Sequence, residues 1–96
     1  MWKGFQEIGG VHHNFVIQRF HFKVGESIKG SGKDEKGKYE VKGKIDHDYT
    51  LHFKIDYKKK HSVSYMGRLN QHGDKIVGTF EDFGQTGNFE ILVFII

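Results

Sequence analysis

From Tyr49 to Tyr57 every second residue is large and apolar. Tyr49, Leu51, Phe53, Ile55 and Tyr57 alternate with Thr50, His52, Lys54 and Asp56. A period of two marks a strand with one face in a core and the other in water. The segment Lys38 to Ile45 repeats the pattern, with Tyr39, Val41 and Ile45 on one side and charged residues on the other. Asp46-His47-Asp48 between them suits a hairpin connection, because Asp and Asn bond their own backbone in turns. Trp2–Ile8, ended by Gly9-Gly10, reads as a first strand, followed by a long strand from His12 to Val24. In that strand Phe15 and Ile17 share one face, but Phe20, Phe22 and Val24 fall on the other. A bulge or bend near Gln18-Arg19 is therefore expected. Ser27–Gly32, then a polar turn at Lys33–Gly37, His61–Gln71, Lys75–Phe83 and Gly87–Ile96 complete the set. No window has a helical period. The pattern predicts an all-β, up-and-down antiparallel meander of about eight strands closing into a small barrel, one domain over residues 1–96.

A shift of 48 residues takes Phe5 to Phe53, His13 to His61, Gly25 to Gly73, Ile28 to Ile76, Gly30 to Gly78 and Asp34 to Asp82. Two further residues bring Gly37-Lys38-Tyr39-Glu40-Val41 onto Gly87-Asn88-Phe89-Glu90-Ile91. Two four-stranded halves with similar turns follow from this repeat, closing on one another. At the C-terminal end the alternation breaks. Phe89, Ile91, Val93 and Ile95 face one way, and Leu92, Phe94 and Ile96 face the other. A strand apolar on both faces needs a cover on both, so Leu92, Phe94 and Ile96 are the expected contact of a homodimer, with Trp2 or the long second strand as the alternative cover from within the chain.

The four segments Phe53-Lys54-Ile55-Asp56-Tyr57, His61-Ser62-Val63-Ser64-Tyr65-Met66-Gly67, Ile76-Val77-Gly78-Thr79-Phe80 and Gly87-Asn88-Phe89-Glu90-Ile91, with the opening Trp2-Lys3-Gly4, carry a resemblance. Together they resemble small β-barrel domains of the avidin-like and calycin-like meander type. The resemblance implies a barrel that holds a small ligand.

The nine Phe, four Tyr and one Trp supply the core material that 96 residues need. Cysteine is absent, which excludes disulfides and thiolate metal sites. The start Met1-Trp2-Lys3-Gly4-Phe5 lacks the apolar run of a signal peptide. No stretch approaches the roughly 20 apolar residues of a membrane helix, so a cytoplasmic protein is expected. The net charge of +3 comes mainly from lysines. Lys42, Lys44 and Lys54 on the outer face, with Lys58, Lys59 and Lys60, make a basic patch able to meet phosphates. Nucleic-acid binding through it is disfavoured, because the aromatics that would stack on bases alternate inward. The same lysines also serve simply to solubilise an exposed sheet face.

Of seven histidines, His12 and His13 project to opposite faces, His47 and His72 fall in turns, and His52 points outward. No metal site is expected. His13 and His61, equivalent by the repeat, stand at strand starts. Neither a paired carboxylate in a cleft nor a nucleophile motif is present, and Gly30-Ser31-Gly32-Lys33 lacks the rest of a phosphate loop. A non-enzymatic module without a cofactor is expected, binding a partner or a second copy of itself. The alternative is a carrier of a small apolar ligand in an interior lined by Tyr39, Tyr49, Phe53, Tyr57, Tyr65, Phe80 and Phe89. Gly43, Gly67 and Gly78 would leave it space.

Overall fold

The computed structural model describes residues 2–34, 37–57 and 61–93. They form nine antiparallel strands: β1 (Trp2–Ile8), β2 (Val11–Ile17), β3 (Arg19–Phe22), β4 (Ser27–Asp34), β5 (Gly37–Ile45), β6 (Thr50–Tyr57), β7 (His61–Leu69), β8 (Lys75–Asp82) and β9 (Gln85–Val93). They make one curled, barrel-like sheet in the order β2-β1-β9-β8-β7-β6-β5-β4-β3. Nine strands replace the expected eight because the long second strand breaks at Gln18, where the bend was anticipated. The break resets the alternation, so Ile17 and Phe20 are both buried and Phe22 and Val24 pack on the same core. Its two pieces serve opposite edges: β2 pairs with β1, and β3 with β4. Between β2 and β4 no ladder is formed among the described residues. There the Tyr39 hydroxyl donates to the Val16 carbonyl at 2.6 Å, a stitch from β5 to β2.

The 48-residue shift carries the bounds of β4 onto β8 and of β5 onto β9. It also relates Gly25 and Gly73, both at positive φ (82° and 75°) in the turns before β4 and β8, a conformation glycine adopts without steric cost. The halves do not form two sheets, however. Strands β6 to β9 are contiguous, and the first half flanks them on both sides. Nor is the repeat faithful in facing. Phe53 is buried, whereas Phe5 pairs with Asn14 and Glu90 and lies on the outer face with its ring 5.5 Å from His12.

Glycine has a different use from the one expected. In register, Gly4 faces Phe15, Gly32 faces Tyr39, Gly43 faces Phe53, Gly87 faces Phe80 and Gly78 faces Phe89. Each of these five inward glycines thus sits opposite an inward ring, and Gly67, between Leu51 and Gly78, has the Phe89 ring where its side chain would be. A methyl group on Gly87 would lie 2.8 Å from Phe80 Cε1, and one on Gly43 would lie 2.5 Å from Phe53 Cα. The missing side chains admit the rings and let the strands approach closely in a small, strongly curled sheet. Gly43, Gly67 and Gly78 therefore leave no room for a ligand.

Tyr49 also departs from expectation. It precedes β6, has φ 71° and is 39% exposed. Its backbone closes the β5–β6 turn: Tyr49 N–H donates to the Asp46 carbonyl, and its own carbonyl accepts from Leu69 N–H. The Thr50 N–H donates to Asp48 Oδ1 at 3.0 Å, and this bond holds the Asp48 carboxyl below the ordinary aspartate range. A depressed folded-state pKa supports the turn above the unfolded-state value, and that support is lost as pH falls through the folded one.

Candidate ligand-binding site

The two ends of the curled sheet differ in chemistry. At one end, where β1 begins and β9 finishes, apolar side chains fill the interior. Ile17, Ile28, Ile45, Leu51, Ile76 and Ile91 are almost fully buried there. Trp2 closes this end against Phe20 and Phe22, at centroid distances of 5.1 and 5.4 Å. Above this plug lies an aromatic layer. Tyr65 stacks on Phe53 at 4.8 Å and meets Phe89 edge-on at 5.0 Å, with Phe80 beside it at 5.9 Å.

The opposite end is a cup of about 490 Å³, lined among the described residues by Gln6, Ile8, His13, Asn14, Phe15, Tyr39, Tyr57, Tyr65 and Asp82, with others. Strand alternation delivers all of these side chains but Asn14, which stands opposite Phe5 in the outward row of β2. Ile8, Gln6 and Gly4 of β1 face Val11, His13 and Phe15 of β2 in register, and Tyr39 faces Tyr57. Among the described residues, polar side chains enter the inward rows only at this end. Gln6 Nε2 donates a hydrogen bond to the Tyr65 hydroxyl, which fixes both groups in the floor of the cup. Tyr39 and Tyr57 meet edge-to-face at 5.5 Å.

His61 stands at the rim. Its ring is stacked with Tyr57 at 5.5 Å and lies 4.7 Å from Phe83. His61 Nε2 approaches Asp82 Oδ1 to 3.5 Å, longer than a hydrogen bond, and both atoms are buried. A histidine backed by a carboxylate can hold a proton or orient a polar ligand group. No Ser, Thr, Lys or Arg is among the described lining residues. The 48-residue repeat singled out His61 and Asp82 separately, as the counterparts of His13 and Asp34. Their meeting depends on the β7–β8 hairpin register, which hydropathy does not encode.

Phe83 is 81% exposed and takes φ 49°, with Gly84 at φ 79° in the two-residue turn joining β8 to β9. This backbone favours Asn-Gly, since bulky residues are strained at positive φ. Phe83→Asn is expected to raise the thermal midpoint by a few degrees, consistent with relief of roughly 1 kcal/mol of strain. A lower midpoint on thermal denaturation would instead make the ring's contact with His61 the larger effect.

Of the residues expected to line a pocket, Tyr39, Tyr57 and Tyr65 meet in the cup. Phe53, Phe80 and Phe89 lie buried in the core. Tyr49 is on the turn at the filled end. Lys42, Lys44 and Lys54 are exposed on the outer face, while Lys58, Lys59 and Lys60 lie outside the described residues. Leu92 is 41% exposed between Lys3 and Lys75 in register, and Phe94 and Ile96 lie outside the described residues. Among the described residues no three His, Asp or Glu side chains converge as a metal site, and no helix is long and apolar enough to cross a membrane. Comparison with protein-family models, curated proteins and solved structures gave no match.

Proposed function

We propose that this chain is a non-enzymatic binding module that carries a small ligand in the open end of its barrel, in the manner of calycin-like and avidin-like meanders. The observation behind this reading is the cup itself. Its volume of about 490 Å³ is within the roughly 300–1,000 Å³ of small-molecule sites. Its walls combine the rings of Phe15, Tyr39, Tyr57 and Tyr65 with a few polar groups. Such a site suits a flat, largely apolar molecule with one or two hydrogen-bonding groups, stacked on tyrosine and held by His13 or Asp82.

Native mass spectrometry, compared with the denatured mass, tests this reading after incubation with monocyclic and bicyclic aromatic fragments. A stoichiometric adduct is expected on the parent chain. His13→Trp, at an exposed cup residue, is expected to abolish the adduct and leave the thermal midpoint within a few degrees. A chain that takes up no fragment, or a His13→Trp variant that binds as well as the parent, would overturn the carrier reading.

A further inference from the structure

On the outer face, the row Gly43–Phe53–Tyr65–Phe80 crosses β5 to β8 in register. Its side chains turn inward, so its backbone floors a furrow between two outward rows. One row runs Lys42, Lys54, Ser64, Glu81, Thr86, and the other Lys44, His52, Met66, Thr79, Asn88. The furrow measures about 590 Å³. Crossing from β5 to β9 spans four inter-strand spacings, roughly 19 Å, and the two rows stand about 7 Å apart. Met66, 53% exposed, presents its thioether there. The ladder hydrogen bonds already occupy the floor's backbone polar groups.

Charge is segregated along this furrow. Lys29, Lys42 and Lys54 stand directly opposite one another on three adjacent strands. Like charges directly opposite are destabilising. Lys42 has Glu40 at 3.4 Å on the exposed surface. Among the described residues, Lys29, Lys44 and Lys54 have no ion-pair partner. The far end of the same furrow carries Glu81.

We infer that this furrow is a second binding site, distinct from the cup, for a small amphiphilic anion. Its single anionic head lies between Lys42 and Lys54, and its hydrocarbon body runs over Met66. An extended polyanion is a poorer occupant, because Glu81 would meet its charge at the other end. The described lining also holds no exposed Phe, Tyr or Trp on which a base would stack, and its one exposed aromatic ring is the His52 imidazole. The exposed Tyr49 and Phe83 lie at the two ends of the sheet, away from the furrow.

Decanoate, kept below its micelle concentration, is the probe, read by the Met66 methyl signal in NMR. Decanol and a thymidine oligonucleotide are the comparisons. The Met66 methyl is expected to shift saturably with decanoate, and at least tenfold more weakly with decanol. Lys54→Glu is expected to weaken decanoate binding at least tenfold while keeping or raising the thermal midpoint, since the new carboxylate faces Lys42. His13→Trp, which blocks the cup, is expected to leave the Met66 response intact. Equal response to decanol and decanoate would overturn the assignment. So would decanoate signals confined to Gln6 and Tyr65, which would place the probe in the cup. A salt-sensitive oligonucleotide response stronger than that of decanoate would also overturn it, in favour of nucleic acid.

Discussion

Gly78→Val is expected to cost about 3 kcal/mol of stability, near the upper end of overpacking penalties. For a domain of this size that is a fall in thermal midpoint of roughly 12–24 °C. Gly78 faces Gly67 across β7 and β8. A methyl group on Gly78 would collide with the Met66 carbonyl oxygen and the Gly67 Cα. Both are main-chain atoms, so no side chain can turn aside to make room. On Gly67 the first methyl would stand 2.6 Å from the Val77 carbonyl oxygen and 3.0 Å from Phe89 Cζ. The strands would have to part, which disturbs the ladder and the seat of Phe89 together. Ser64→Ala, on the exposed side of the neighbouring strand β7, is expected to stay within about 0.5 kcal/mol. Equal denaturation midpoints for Gly78→Val and the parent would show that the strands separate freely here, and the account of sheet curvature would fail.

Alternation made most of the fold legible, because a strand with one buried face prints its period on the chain. Tyr39, Val41, Leu51, Phe53, Ile55, Val63, Tyr65 and Leu69 are all buried, as their spacing requires. The phase change around Gln18 was equally readable, since Ile17 and Phe20 can share a core only if an extra residue separates their strands. Tyr49 was misplaced because alternation cannot distinguish the last residue of a turn from the first of a strand, and only its positive φ decides. The glycines were misread for a related reason. An absent side chain looks like space in one dimension, whereas pairing shows that the opposite ring already fills it. Which end of the barrel is open was not legible at all. That depends on registers that gather Gln6, His13, Tyr57 and Asp82 from four strands. Lys42 and Lys54 were legible as an outward basic patch, but the place of Lys29 in the same row was not, because the three are neighbours only through the ladder.

Tyr65 separates the structural from the binding role of the cup. Tyr65→Ala is expected to cost about 3–5 kcal/mol, as large-to-small changes at buried rings do. It would leave Phe53, Phe89 and Phe80 without their common neighbour. Tyr65→Phe keeps that ring packing and removes the hydroxyl that accepts from Gln6 Nε2. Its expected cost is about 1 kcal/mol, the usual net worth of one hydrogen bond. The two variants therefore differ by roughly 2–4 kcal/mol in equilibrium unfolding if aromatic packing dominates. Because the hydroxyl and the Gln6 amide share the cup floor, Tyr65→Phe is also expected to change fragment affinity while the domain stays folded. If Tyr65→Phe proved as destabilising as Tyr65→Ala, the polar pair rather than the ring stack would be what holds the middle of the barrel. The cup floor would then be a structural network, and binding would have to be sought at the rim formed by His13, Tyr57 and Asp82.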